Sequence, residues 1–440
     1  MTHPSTADAP VRPRVVLGVG GGITAYKACE VLRRLTESGH DVRVVPTEGA
    51  LKFVGAATFE ALSGRPVRTG VFDDVPEVPH VRLGQTADLV VVAPATANLI
   101  AKAAGGLADD LLTNTLLTAR CPVLLVPAMH TEMWEHPATR HNVALLRSRG
   151  VVVAEPASGR LTGADTGKGR LPEPAEIVEL AKLLLARSDA LPRDLDGVHV
   201  AISAGGTREP LDPVRFLGNR SSGRQGYALA RVAAQRGAKV TLVAAHTADL
   251  VAPAGVDVVR VGTAEELRVA MHEVAETAGV LVMAAAVADF RPVALAGHKI
   301  KKSDRDPDPV ALTRNADILA ELVAARRSGQ VIVGFAAETG DPDTSVLEYG
   351  RAKLKRKGCD WLVVNAVGDG KAFEVEDNGG WLLSADGAET HIPHGSKAQL
   401  AAEVWDVIRS SRSLADLGAP ADRMLDKLDS VVNADIQGEP

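Results

Sequence analysis

Eleven short apolar runs, rich in β-branched residues and separated by amphipathic helical stretches, limit what this chain can fold into. Five lie in the first half, at Val15–Gly18, Val42–Val45, Leu89–Val92, Val123–Val126 and Val151–Val153. Six lie in the second, at Val198–Ile202, Val240–Val243, Asp257–Val261, Leu281–Ala284, Val331–Phe335 and Trp361–Val364. Near-continuous apolar strands need cover on both faces, and helices between parallel strands supply it. The pattern predicts an α/β fold of two Rossmann-like, doubly wound parallel-sheet domains in tandem. The alternation breaks near Arg187–Gly197. The expected layout is a disordered N-terminus over 1–13, a domain over 14–186, a linker over 187–197, a domain over 198–410 and a polar tail over 411–440. One short helix is expected in that tail, at Asp422–Val432.

Composition removes several function classes. A net charge of −6, with both signs mixed along the 440 residues, offers no nucleic-acid or membrane-surface footprint. No apolar run reaches membrane-spanning length, and Met1–Pro13 is polar without a signal core. The three cysteines, Cys29, Cys121 and Cys359, have no pairing or metal spacing, which fits a reduced cytoplasmic setting.

Ligands of open parallel sheets bind where loops leave the strand ends, so the residues after each run carry the chemistry. In the first half these are Gly18-Val-Gly-Gly-Gly-Ile-Thr-Ala-Tyr-Lys27, Thr47, Ala93-Pro-Ala-Thr-Ala-Asn98 and Pro127-Ala-Met-His-Thr-Glu-Met-Trp134. Three successive glycines let backbone amides approach a phosphate at a helix start, although a tight turn with no ligand gives the same string. Ile23 stands where the dinucleotide fingerprint needs its third glycine, so a nicotinamide site fails there. Pro79-His80 precedes a helical segment, where a lone histidine is more often structural than catalytic.

In the second half, Ser203–Gly226 follows a strand with Gly205-Gly206, a long polar excursion and Arg220-Ser-Ser-Gly-Arg224. This is neither a dinucleotide loop nor a Walker loop, yet it presents amides, hydroxyls and guanidinium groups to an anion. Ala284–Asp289, Lys299-Ile-Lys-Lys302, Asn315-Ala-Asp-Ile318, Gly334–Thr339, Arg351-Ala-Lys353 with Lys357, and Val363-Val-Asn365 follow in order. Lysines suit a triphosphate, and a carboxylate such as Asp289 suits a metal or ribose. The bland alternatives are a solvated basic turn at Lys299–Lys302 and a helix cap at Asp289. Tyr349 and Lys353 share the spacing of a dehydrogenase pair, but the domain start lacks the cofactor fingerprint that pair requires.

From about Val15 to Leu185 these motifs resemble the homo-oligomeric flavin-containing cysteine decarboxylases, above all the phosphopantothenoylcysteine decarboxylase half of bifunctional coenzyme A biosynthesis proteins. From Asp196 to Ile408 they resemble phosphopantothenate–cysteine ligase. The resemblance implies FMN held by Gly21, Gly22, Ile23, Thr47, Thr96 and Asn98, with His80 as catalytic base and His130 and Met133 at the substrate. It implies catalysis by Asn219 and substrate contacts from Arg215 and Arg220. CTP would be held by Asp289, Lys299, Asn315, Asp317, Ile318, Phe335, Lys353 and Lys357, with Mg²⁺ at Asp289. The implied substrates are 4′-phosphopantothenate, cysteine and CTP, and the implied assembly is trimer-based, up to a dodecamer. Two departures stand out. His130 replaces the family's usual asparagine, and Gly163 stands where a flap cysteine usually donates a proton, leaving Asp165 or solvent for that step. A flavin-binding regulatory subunit and an NAD(P)-linked reductase are the competing readings.

Overall fold

The computed structural model describes residues 12–70, 78–161, 165–301, 309–338, 343–366 and 377–410. The chain divides into two compact units between Leu191 and Pro192. The expected helix at Asp422–Val432, Thr162, Gly163, Lys302, Thr339 and most of the 1–13 segment lie outside the described residues.

The first unit carries β1 (Arg14–Val19), β2 (Asp41–Pro46), β3 (Leu89–Ala95), β4 (Val123–Pro127) and β5 (Val152–Val153). They form one parallel sheet in the order β2-β1-β3-β4-β5. All seven residues of β3 are buried, as a central strand covered on both faces requires. The helix Lys27–Glu37 shows why the cover forms. Ala28, Val31, Leu32 and Leu35 fall at helical spacing and are the residues it buries. Each such branched side chain contributes roughly 1.5–3 kcal/mol on burial. In this strand order the direction of winding reverses between β1 and β3, which opens a crevice at their carboxyl ends. A short antiparallel hairpin, β6 (Ala157–Arg160) and β7 (Thr166–Arg170), follows the sheet. The periodicity had no signal for it, since glycine alternates through Thr166–Arg170.

The second unit is built on β8 (His199–Ala204), β11 (Lys239–Ala244), β12 (Val256–Arg260), β13 (Val280–Met283), β16 (Val331–Glu338) and β17 (Trp361–Ala366), all parallel. Two antiparallel strands, β18 (Asp377–Ser384) and β19 (Glu389–Ser396), extend it, so the sheet is mixed at that edge. The order is β12-β11-β8-β13-β16-β17-β18-β19. Two small ribbons stand apart from it, β9 (Arg208–Pro210) with β10 (Phe216–Gly218), and β14 (Phe290–Pro292) with β15 (Leu312–Arg314). A helix begins at Arg224, directly after Gly223 at φ 76°. It is pressed onto β8, where a Cβ on Gly226 would lie 2.5 Å from Ala204 Cβ.

Candidate active sites

A cleft of about 820 Å³ lies at the carboxyl ends of β1 and β3. Gly21, Gly22, Ile23, Thr47, Thr96, Asn98, His130 and Met133 all line it, brought together from four separate loops. Main-chain bonds lace those loops to the strand ends: Gly20 N–H donates to Pro94 O at 3.0 Å, Thr47 N–H to Val19 O at 2.9 Å and Ala128 N–H to Ala95 O at 3.1 Å. Gly21 is a glycine for want of room, since a Cβ there would sit 2.8 Å from Gly49 C. Thr47 and Thr96 each cap a helix, accepting from Ala50 N–H at 3.2 Å and Leu99 N–H at 3.4 Å. Two helix N-termini therefore face the glycine turn, an arrangement that favours an anion. Ile23 and Met133 are exposed, 62% and 48%, and give the cleft an apolar side.

His80 is not brought to this cleft. It lies inside the first turn of the helix Pro79–Thr86, not before it. Its Nδ1 is buried with no hydrogen-bond partner among the described residues. His130 does line the cleft, and its Nδ1 lies 3.9 Å from the Asp165 carboxylate. Met129 N–H donates to Gly169 O at 3.0 Å, which docks the β6–β7 hairpin against the His130 loop.

The second unit has a cleft of about 1040 Å³ at the carboxyl ends of β8, β13 and β16. Asn219, Arg220, Asp289, Asn315, Asp317, Ile318, Phe335, Lys353 and Lys357 line it. Seven cations, Arg220, Arg224, Arg314, Lys353, Arg356, Lys357 and Lys397, face two acids, Asp289 and Asp317. Such a field suits a polyanion. Asn219 Nδ2 donates to Val287 O at 2.9 Å and Asn315 Nδ2 to Ala288 O at 2.8 Å, so both amides brace the strand-end loop that carries Asp289. Asp317 caps the helix Ile318–Ala324 through Ala320 N–H at 3.2 Å and pairs with Lys357. Burial pushes its carboxyl up, but Lys357 and the Ala320 amide outweigh that and hold it below the usual range. Lys353 pairs with Glu338 at 3.0 Å.

Arg215 and Lys299 do not line this cleft. Arg215 is engaged elsewhere: its guanidinium donates to the Asp212 carboxylate at 2.5 Å and to Ile300 O at 2.6 Å. Asp212, fully buried, also accepts from the Val214, Arg215 and Ile300 amides at 2.8, 2.8 and 3.1 Å. Burial raises its pKa, and these four donors override burial and hold it far below the ordinary carboxylate value. The staple fixes the exposed Lys299 segment against the β9–β10 ribbon. Asn378 and Lys397 also line the cleft and escaped the sequence reading. Gln225 and Asn365 line it too; the sequence reading had them only within the motifs Ser203–Gly226 and Val363-Val-Asn365, with no role of their own.

Comparison with known proteins adds the family. A flavoprotein family model matches residues 4–185, and the model of the DNA/pantothenate metabolism flavoprotein C-terminal domain matches 195–411. The coenzyme A biosynthesis bifunctional protein CoaBC of Mycolicibacterium smegmatis is 67% identical over 402 residues, 90% of this chain and 97% of that protein. CoaBC of Bacillus subtilis is 42% identical over 398 residues, 90% of this chain and 96% of that one. A crystal structure of the C-terminal domain of a CoaBC protein shares 34% identity, covering 49% of this chain and 96% of that chain at a TM-score of 0.42.

Proposed function

The chain belongs to the coenzyme A biosynthesis bifunctional proteins, and on that premise we propose how its two clefts divide the work. It is an enzyme with a flavoprotein decarboxylase domain and a phosphopantothenate–cysteine ligase domain. The regulatory-subunit and NAD(P)-reductase readings are not favoured.

The ligase step belongs to the cationic cleft. CTP and 4′-phosphopantothenate react there, pyrophosphate leaves, and the acyl-cytidylate is opened by the cysteine amine with loss of CMP. Lys353 and Lys357 take triphosphate charge. Asn315, Asp317, Ile318 and Phe335 hold the nucleoside, Asn219 and Arg220 the acyl group. Among the described residues no cluster of His, Cys, Asp and Glu could hold a metal alone. Mg²⁺ would sit between Asp289 and the phosphates, as this ion does when one carboxylate and a nucleotide share it. Arg215 and Lys299 act from outside the cleft, Arg215 by holding the Lys299 segment in place.

Decarboxylation of phosphopantothenoylcysteine to 4′-phosphopantetheine belongs to the first cleft. Its glycine turn fits FMN: a Cβ at Gly21 would fill the cradle, and the amides with Thr47 and Thr96 suit a phosphate. Asn98, Gly22 and Ile23 complete the bed. When bound, FMN would supply a reversible two-electron oxidation at the thiol-bearing carbon, which eases loss of the carboxylate from the carbon beside it. His130 holds the substrate carboxylate and Met133 covers the chain. His80 serves as base in the cleft of a neighbouring copy, which its unpartnered Nδ1 and its absence from the lining of its own cleft support. That arrangement needs a homo-oligomer, trimer-based as the family resemblance implies. Three free cysteines fit a cytoplasmic enzyme, and no described helix is long and apolar enough to cross a membrane.

The observation that carries the ligase assignment is the imbalance of seven cations against two acids in one cleft. The test is incubation with phosphopantothenate, cysteine and CTP, with mass analysis. Both phosphopantothenoylcysteine and 4′-phosphopantetheine are expected. Faster ligation with ATP would overturn the cytidine assignment, and absence of both products would overturn the ligase.

A further inference from the structure

Five of the seven cations of the ligase cleft stand on helices that fall into two groups, on opposite faces of the sheet. Lys353, Arg356 and Lys357 stand on the helix Val346–Lys357. Its Leu354 belongs to one buried cluster with Ala201, Leu281, Ile332 and Leu362. Arg224 and Lys397 open the helices Arg224–Gln235 and Lys397–Ser410. Those two helices pack on each other, with Trp405 Nε1 donating to Leu229 O at 3.0 Å, and neither contributes a residue to that cluster. The starts of the two helices are tied together. Gln225 Nε2 donates to Lys397 O at 3.2 Å, and Asn378 Nδ2 donates to Gln225 Oε1 at 3.4 Å.

Lys397 is the anomaly in this corner. It lines the cleft but is only 8% exposed. Its ammonium reaches one acceptor, the Asp377 carbonyl, at 3.5 Å, the outer limit of a hydrogen bond. No described carboxylate forms an ion pair with it, and Arg224 lines the same part of the cleft. Burial first, then Arg224, push its pKa below the ordinary lysine value, with Asp377 countering in part. A desolvated ammonium beside a guanidinium is unfavourable until an anion sits between them. Ser221, Ser222 and the first amides of the helix Arg224–Gln235 face the same space.

We propose that Arg224 and Lys397, at these two adjoining helix starts, form a phosphate-binding corner of the ligase cleft, distinct from the cations on the helix Val346–Lys357. The proposal rests on the ligase reading, in which both activated reactants carry phosphate: the monoester of 4′-phosphopantothenate and the triphosphate of CTP. Lys397 and Arg224 select one of them from the face opposite the helix Val346–Lys357.

The test uses the full-length protein with Lys397→Met, Lys397→Arg and Arg224→Gln. Ligation by the parent enzyme is established first; its absence would sink the ligase reading, while the phosphate arm below needs no turnover. Inorganic phosphate is expected to raise the melting midpoint of the parent protein. Lys397→Met should melt no lower than the parent without phosphate, because it removes a desolvated charge, and should lose the phosphate-dependent rise. In steady state its KM for 4′-phosphopantothenate should rise about tenfold or more, the worth of a charged hydrogen bond, with Lys397→Arg restoring part of it. A rise in KM for CTP alone would assign the same corner to the triphosphate. Should Lys397→Met fail to fold, Arg224→Gln must show the same losses. Unchanged KM for both substrates, with the phosphate-dependent rise retained in Lys397→Met or, if that variant fails to fold, in Arg224→Gln, overturns the proposal.

Discussion

Asp212 shows how one buried carboxylate positions loops distant in sequence. Its partners, Arg215 and Ile300, lie three and 88 residues away. Because its folded pKa is depressed, its stabilising effect is full above the unfolded value near 3.8 and is lost as pH falls below that. The urea midpoint of the parent protein should therefore drop as pH falls from about 4, and that acid-side component should be missing in Asp212→Asn. Equal acid slopes in the two proteins would refute the staple. His80 makes the second case. His80→Asn should keep its flavin absorbance yet lose about 10²-fold or more of CO₂ release, the range of general acid–base catalysis; unchanged CO₂ release would remove it from the reaction. Residues that follow a strand were legible in the sequence. Gly21, Thr47, Thr96 and His130 meet because each ends a parallel strand of one sheet. Arg215, Lys299 and Lys397 were not legible, because what fixes them is a partner tens of residues away or burial against a distant helix start.

Among the elements, the glycine turn after β1 leaves little room for change. Gly21→Ala puts a methyl group against the Gly49 backbone, and that backbone has no flexible end to give way. The expected result is a folded protein purified without flavin, seen as lost visible absorbance with unchanged far-ultraviolet dichroism. Full flavin content in this variant would show that the turn has slack. The parallel strands announced themselves through buried β-branched runs, and their order could be used because chain connection and twist restrict it. The β18–β19 pair and the ribbons were not legible. Strand β10, Phe216–Gly218, is exposed throughout, so it has no alternation of apolar and polar residues to read.

For the molecule as a whole, each unit keeps a cleft at the carboxyl edge of its own sheet, and division into two units follows from where the alternation of strands and helices breaks. The proposed assembly has a candidate contact surface. Val293 and Leu295, beside the β14–β15 ribbon, are 63% and 62% exposed, and Phe216 on β10 is 50% exposed. Apolar side chains of this size grouped on projecting ribbons suit a second copy of the chain. Val293→Glu with Leu295→Glu should lower the mass measured by light scattering while each unit stays folded; an unchanged mass would place the subunit contacts elsewhere. The laced loops of the first cleft bear on how the enzyme acquires its cofactor. Because Gly20, Thr47 and Ala128 spend their amides on neighbouring strand ends, these loops are braced by main chain and not by a ligand. A bed braced in this way favours loading set by collision over loading that waits on the ordering of loops.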